Sequence, residues 1–279
     1  MVSDWWTAVC VTRKMRDYKP QRVTRKSIEK WLNQFDNEDR RALRYLLRQV
    51  IYLDEDEVKS RLVDRNAVIL DRLNRAGVPL SKTIYIQIDE AGSSSPVMLN
   101  MLKEAARLER RGCRFFDSKN VLEINKITDE LGEGAIVYVD DFVGTGNQFC
   151  RSRDFVAKYV VGNFSEFLLV PCICEEALYE LGKIGVVALA GQVHTKSERL
   201  LHEDSTLLDM PTKARLIELC RSIDKKGGLG YKDLATMVVL YRNTPNTVPL
   251  LLRGSLGQKP YFGVLPRTQD FLPSEQSKT

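Results

Sequence analysis

The residues best suited to chemistry lie in Ala135–Gln148, AIVYVDDFVGTGNQ. A run of strand-forming residues enters two adjacent carboxylates, Asp140 and Asp141, and then a turn of Gly144, Thr145 and Gly146. Small residues in the turn let successive backbone N–H groups converge, and a helix opening at Asn147-Gln148 adds its positive end. That combination suits a phosphate monoester, with the Thr145 hydroxyl as a further donor. The carboxylates just upstream suit neutral hydroxyl groups, and they repel a triphosphate unless a metal intervenes. A sugar that carries one phosphate, such as a 5-phosphoribosyl group, meets both requirements. Rival motifs fit poorly. Phe149 stands where a third glycine of a dinucleotide fingerprint belongs, and no lysine follows Gly146 as a P-loop requires.

Elements able to hold such a loop need a sizeable domain. The chain has 279 residues, 43% hydrophobic and 28% charged, with a net charge of +5. These are the proportions of a globular protein. No apolar run approaches the ~20 residues of a membrane span. The start, MVSDWWTAVCVTRK, lacks the pattern of a secretory signal. Cys10, Cys113, Cys150, Cys172, Cys174 and Cys220 form no CxxC pair, and His194 and His202 are the only histidines. A structural metal site is therefore not expected. Cys172 and Cys174, two apart, share one face of a strand and read as buried reduced thiols, which suits a cytoplasmic protein.

Along the chain, residues 1–26 read as a basic arm. Its segment RKMRDYKPQRVTRK sets seven cations against Asp17. It is expected to be either a solvated, partly disordered stretch or a contact for RNA or DNA phosphates. Residues 27–78 read as a helical subdomain. Ser27 caps a helix with Ile28, Trp31, Leu32 and Phe35 inward, and Asn37 caps one with Leu43, Leu46, Leu47 and Val50 inward. A helix over 55–75 buries Val58, Leu62, Ile69, Leu70 and Leu73. Residues 79–204 alternate strand and helix, which predicts right-handed crossovers and a mainly parallel α/β sheet. Within them, 111–133 reads as an irregular excursion with one or two short strands. Ligands of such sheets sit beyond the carboxyl ends of the strands. Residues 205–279 complete the core, with a helix over 211–220, a flexible KKGGLGYKD turn and a disordered tail.

The loop VYVDDFVGTGNQ resembles the phosphoribosyl diphosphate (PRPP) motif of type I phosphoribosyltransferases, which implies a Rossmann-like fold with an N-terminal helical subdomain. The resemblance implies that Asp140 and Asp141 hold the ribose hydroxyls, as catalytic residues, while Gly144, Thr145, Gly146, Asn147 and Gln148 surround the 5-phosphate. It implies that Mg2+ rides on the substrate, with no metal-ligating site built by the protein alone. The family more often has Thr or Ala at the place of Gly144, and Gly-Thr at the place of Asn147-Gln148. Upstream, IQIDEAGSSSPVMLN is similar to the family's pyrophosphate loop, so Ala91, Gly92, Ser93, Ser94 and Ser95 are candidate ligands. The excursion over 111–133 takes the place of the family's flexible hood.

The helical lead-in, the DDFxGxGxxF loop and the late YRNTPNTVPLLL segment are similar to phosphoribosyltransferase-like proteins of bacterial conflict and anti-phage systems, including retron-type systems. This implies an enzyme acting at C1 of the ribose of PRPP or a nucleotide, as an antiviral defence effector. Asn243 and Asn246 are candidate substrate-side residues, or a turn whose Asn side chains bond their own backbone. The alternative is a non-catalytic nucleotide-binding regulator, or an assembly subunit that meets a reverse transcriptase, RNA or DNA through the basic helical N-terminal region. An oligomer is compatible with either reading. No membrane association is expected.

Overall fold

The computed structural model describes residues 4–88, 95–255 and 261–268, with side chains described from residue 8 onward. In chain order its elements are helices α1 (Asp4–Lys14), α2 (Arg25–Leu32) and α3 (Arg40–Arg48), strand β1 (Ile51–Leu53) and helix α4 (Glu55–Arg75). Strand β2 (Thr83–Gln87), helix α5 (Ser95–Ala105), strand β3 (Arg114–Asp117), helix α6 (Val121–Leu131) and strands β4 (Glu133–Val139) and β5 (Phe142–Val143) follow. Then come helix α7 (Asn147–Ala157), strand β6 (Asn163–Cys174), helix α8 (Glu175–Lys183) and strand β7 (Val187–His194). Helix α9 (Met210–Ile223), strand β8 (Val238–Leu240) and helix α10 (Leu250–Arg253) complete the order. The chain divides into two compact units, residues 56–193 and residues 1–55 with 194–279.

In the unit of residues 56–193, β2 pairs in parallel with β3 on one side and β4 on the other, and β4 pairs in parallel with β6. Strand β5 prolongs β4 along the same neighbour: Val139 faces Leu169, and Phe142 faces Cys172 with the register kept. Strand β7 therefore lies on the other edge of β6. The sheet is α/β and mainly parallel, as the alternation of elements predicts. Counted in chain order along its pairing path, the strands run second, first, third, fourth, fifth. Such an order reverses direction between its first and third strands, here β2 and β4.

The strands are buried on both faces, so apolar residues run nearly without interruption through Ile84–Ile86 and Ala135–Val139. One face joins Ile84, Ile86, Ile136, Tyr138, Leu168 and Val170 to α6, α7 and α8 through Ile124, Ile127, Phe149, Val156, Ala177 and Leu181. On the other face Tyr85 Oη donates to Asn66 Oδ1 of α4 at 2.6 Å. The helix expected over 55–75 forms over those residues, with Val58, Leu62, Ile69 and Leu73 buried and Leu70 half-buried. It belongs to this unit from Asp56 onward.

The excursion expected over 111–133 holds one short strand, as expected, and a regular helix in place of irregular chain. Strand β3 lengthens the sheet beside β2, and α6 returns the chain to β4. The four-residue RFFD strand has no alternating pattern, because its partner rather than its sequence decides its state.

In the unit of residues 1–55 with 194–279, β1 and β8 form a two-stranded parallel ladder. Helix α2 starts at Arg25, two residues before the expected cap. Thr24 is the N-cap, and Ser27 completes a capping box from the third helical position. Asp39 rather than Asn37 precedes α3. Trp31 is fully buried, as expected, and its Nε1 donates to Leu251 O at 2.7 Å. Phe35 is only half-buried and meets Trp31 edge to face. The stretch read as a solvated arm is packed. Val11, Met15, Tyr18 and Val23 are buried, and Tyr18 Oη bonds Thr244 Oγ1 at 2.7 Å. The cations face outward from this apolar row, so charge density alone misled the reading. The tail from Gln269 lies outside the described residues.

Candidate active site

The carboxylates follow the end of β4, at the strand reversal. Asp140 N–H donates to Leu169 O at 3.2 Å, continuing the ladder for one more residue. The next rung would need an N–H from residue 171, which is Pro171. Pairing therefore lapses at Asp140–Asp141 and resumes at Phe142. The proline in VPCIC is the sequence signal for this break. Asp140 is buried and Asp141 half-buried. The Asp141 N–H donates to Asp140 Oδ1 at 2.9 Å, which orients the inner carboxylate.

Past the pair, Gly146 takes φ +78° and caps α7 without a side-chain bond. A Cβ there would stand 3.3 Å from Leu181 Cδ1 and 3.5 Å from Ala177 Cβ. The positive φ thus calls for glycine, and a larger side chain would press on Leu181 of α8. Thr145 Oγ1 accepts from Asn147 N–H at a long 3.4 Å, and Cys150 N–H closes the first helical bond onto Gly146 O at 2.8 Å. Gly144, Thr145 and Asn147 are half-buried and Gln148 is exposed, so the first turn of α7 opens to solvent. Phe149, which fills the place of the missing third glycine, is buried edge to face on Tyr138 at 5.4 Å and pins α7 to the sheet. Burial raises the Cys150 thiol, with Asp154 and Glu180 adding to the effect. This leaves it a poor nucleophile.

Of the upstream loop, Ala91, Gly92, Ser93 and Ser94 lie outside the described residues. Ser95 is fully buried. Its hydroxyl accepts Ile88 N–H at 2.9 Å and donates to Val139 O at 2.5 Å. It clamps the ends of β2 and β4 together at the reversal. The hydroxyl is thus engaged at both strand ends. The structure thus brings Asp140, Asp141, Gly144, Thr145, Gly146, Asn147, Gln148 and Ser95 to adjacent strand ends in one unit.

Asn243 and Asn246 belong to the other unit. Asn243 Oδ1 accepts Thr244 N–H at 3.0 Å and Thr268 N–H at 3.1 Å, while Asn246 O accepts Tyr231 N–H at 2.9 Å. The Asn243 side chain is therefore engaged in a backbone turn.

The profile of one family, PRTase-CE, matches residues 28–267. The chain belongs to the PRTase-CE family. This membership bears out the resemblance to type I phosphoribosyltransferases, and it extends over most of the chain. No curated protein matches it. Among solved structures, the chain is similar to orotate phosphoribosyltransferase from Aeropyrum pernix, with 18% identity and a TM-score of 0.29, over 46% of this chain and 71% of that one.

Among the described residues, no group of three or more His, Cys, Asp and Glu side chains could hold a metal. Two adjacent carboxylates match the other way in which Mg2+ is bound, carried by substrate oxygens and shared with one or two carboxylates. No helix among the described residues is long and apolar enough to cross a membrane.

Proposed function

We propose that residues 56–193 bind PRPP or a nucleotide 5-phosphate and that the protein transfers or cleaves at C1 of the ribose. One observation carries this reading. A carboxylate pair lies at the strand reversal of a parallel sheet, three residues before a turn whose left-handed Gly146 opens a helix N-terminus. The turn and the first amides of α7 receive the 5-phosphate, with the Thr145 hydroxyl beside them. Asp141, the more exposed of the pair, accepts the ribose hydroxyls, and Asp140 is held in place behind it.

At C1 the bond to the leaving group breaks before the new one is complete, so positive charge grows on the ring. The two carboxylates stabilise that charge from positions fixed before the reaction. Asp140 and Asp141 would help to hold Mg2+ brought in with the substrate, which would supply positive charge to offset that of the leaving group. The Ser95 clamp ties the β2 and β4 ends together, which holds the carboxylate pair after β4 in a fixed place.

Similarity of the loop and the late YRNTPNTVPLLL segment to anti-phage proteins supports an effector role in defence, alongside a reverse transcriptase. The test of the enzymatic reading is pyrophosphate release from PRPP with Mg2+ across candidate bases and nucleotides. Release that disappears in Asp140→Asn/Asp141→Asn supports it. Tight PRPP binding with no release under any acceptor would convert the reading to a nucleotide-binding regulator.

A further inference from the structure

The segment Arg13–Arg48 carries twelve basic side chains against Asp17, Glu29, Asp36, Glu38 and Asp39. Three of those five acids are committed locally. Asp17 accepts Tyr52 Oη at 2.7 Å, Glu29 pairs with Arg25, and Asp39 is buried against Arg215 at 2.9 Å. Arg13, Arg16, Arg22, Lys26, Arg41 and Arg48 are all exposed, and none has an ion-pair partner among the described residues.

Their placement follows from the helices. On α3 the buried residues are Leu43, Leu46 and Leu47. At 100° per residue, Arg41, Arg44 and Arg48 fall on the opposite side, one turn apart. Helix α1 packs against α2 and α3. Lys14 Nζ donates to Val50 O at 2.6 Å, which joins the end of α1 to the residues just past α3. Arg13 and Arg16, next to Lys14 in the chain and both exposed, lie near this junction. An apolar underside of Val11, Met15, Val23, Leu43, Leu46 and Leu47 holds this row of cations rigidly.

We infer that the outer face of α1 and α3 is a docking surface for the phosphate backbone of a nucleic acid, independent of the phosphoribosyl reading. Five of the six exposed cations without ion pairs are arginines, whose planar donors match phosphate oxygens and whose charge does not titrate. Exposed cations such as Arg13, Arg16, Arg41 and Arg48, without ion pairs among the described residues, cost stability by self-repulsion, and a polyanion relieves that cost. Recognition by charge alone makes the contact independent of sequence. RNA and DNA offer the same chemistry here.

The experiment uses the full chain and fluorescence polarisation on single-stranded RNA, single-stranded DNA and duplex DNA, at salt between about 50 and 200 mM. A variant Arg13→Gln/Arg16→Gln/Arg41→Gln/Arg48→Gln is compared with Arg65→Gln/Arg110→Gln/Lys158→Gln/Lys225→Gln, which removes the same charge from exposed positions elsewhere. Wild type and the control are expected to bind at least one of the three with equal salt slopes. The first variant should lose at least about tenfold in affinity, and its slope should fall by about three, since each phosphate contact contributes about 0.7–0.9. Relative affinity at the upper end of that salt range ranks the three polymers. An unchanged slope in the first variant, an equal loss in the control, or binding to anionic lipid vesicles with none to any oligonucleotide would overturn the inference.

Discussion

Asp140 and Asp141 are bonded to one another: the backbone N–H of Asp141 donates to Asp140 Oδ1 at 2.9 Å. The pair is therefore not two equivalent carboxylates. The inner one is buried and oriented, and the outer one is half-buried and presented. Pro171 on the neighbouring strand explains the placing of this arrangement, because the ladder lacks a donor one step beyond Leu169.

Gly146→Val tests the phosphate turn. A β-branched side chain at φ +78° with α8 behind it should cost about 1–3 kcal/mol of stability and abolish binding of a 5-phosphate. Gly146→Asn tolerates the left-handed conformation better, so it should fold more stably than the valine variant while still crowding the turn. Thermal unfolding and phosphate-ligand titration read the two effects separately. Valine binding within twofold of wild type would place the anion site elsewhere.

Ser95→Ala removes one bond at each of two strand ends. The Ile88 N–H and the Val139 carbonyl each lose this bond, and the expected loss is about 1–3 kcal/mol in urea unfolding. A serine that merely lined a substrate pocket would leave stability unchanged.

Much of this was legible in the sequence, and the failures have physical causes. The helix over 55–75 was readable because twenty-one residues keep an apolar stripe without a breaker. The DDFVGTGN turn was readable because its chemistry is local. The Ser95 clamp was not, because its partner Val139 is forty-four residues away, and a serine after a polar turn looks like a loop donor. A short strand was legible within 111–133, but its bounds at RFFD are set only by pairing with β2, and helix α6 was read as irregular chain. The basic arm was misjudged because its buried residues Val11, Met15, Tyr18 and Val23 are spread thinly among cations.

The cysteines should differ in reactivity. Cys10 is exposed, whereas burial pushes Cys113 up to about 11 and Cys220 up to about 12. With an alkylating reagent at neutral pH, Cys10 is expected to label first, and Cys113 and Cys220 only on unfolding. Peptide mass spectrometry follows each thiol. Labelling of Cys220 as fast as Cys10 would contradict the packing of α9.

Asp209 caps α9 by accepting Thr212 N–H at 2.9 Å, which holds its carboxyl below the usual carboxylate value. Its stabilising effect is present above the unfolded-state value of ~3.9 and fades as pH falls through the folded value. Asp209→Ala should therefore lower Tm at neutral pH, and the gap should close in acid. A gap that is constant with pH would mean that the side chain acts by something other than its charge.

The most direct test of the phosphoribosyl reading is calorimetric titration of PRPP with Mg2+ into the wild type, Asp141→Asn and Asp140→Asn/Asp141→Asn. The account predicts one site per chain in the wild type. It also predicts loss of affinity on the order of 100-fold when the presented carboxylate is neutralised, with no detectable binding in the double variant and an unchanged unfolding curve for a well-folded protein. Wild-type affinity in the double variant, or no heat from the wild type at any PRPP concentration, would contradict it.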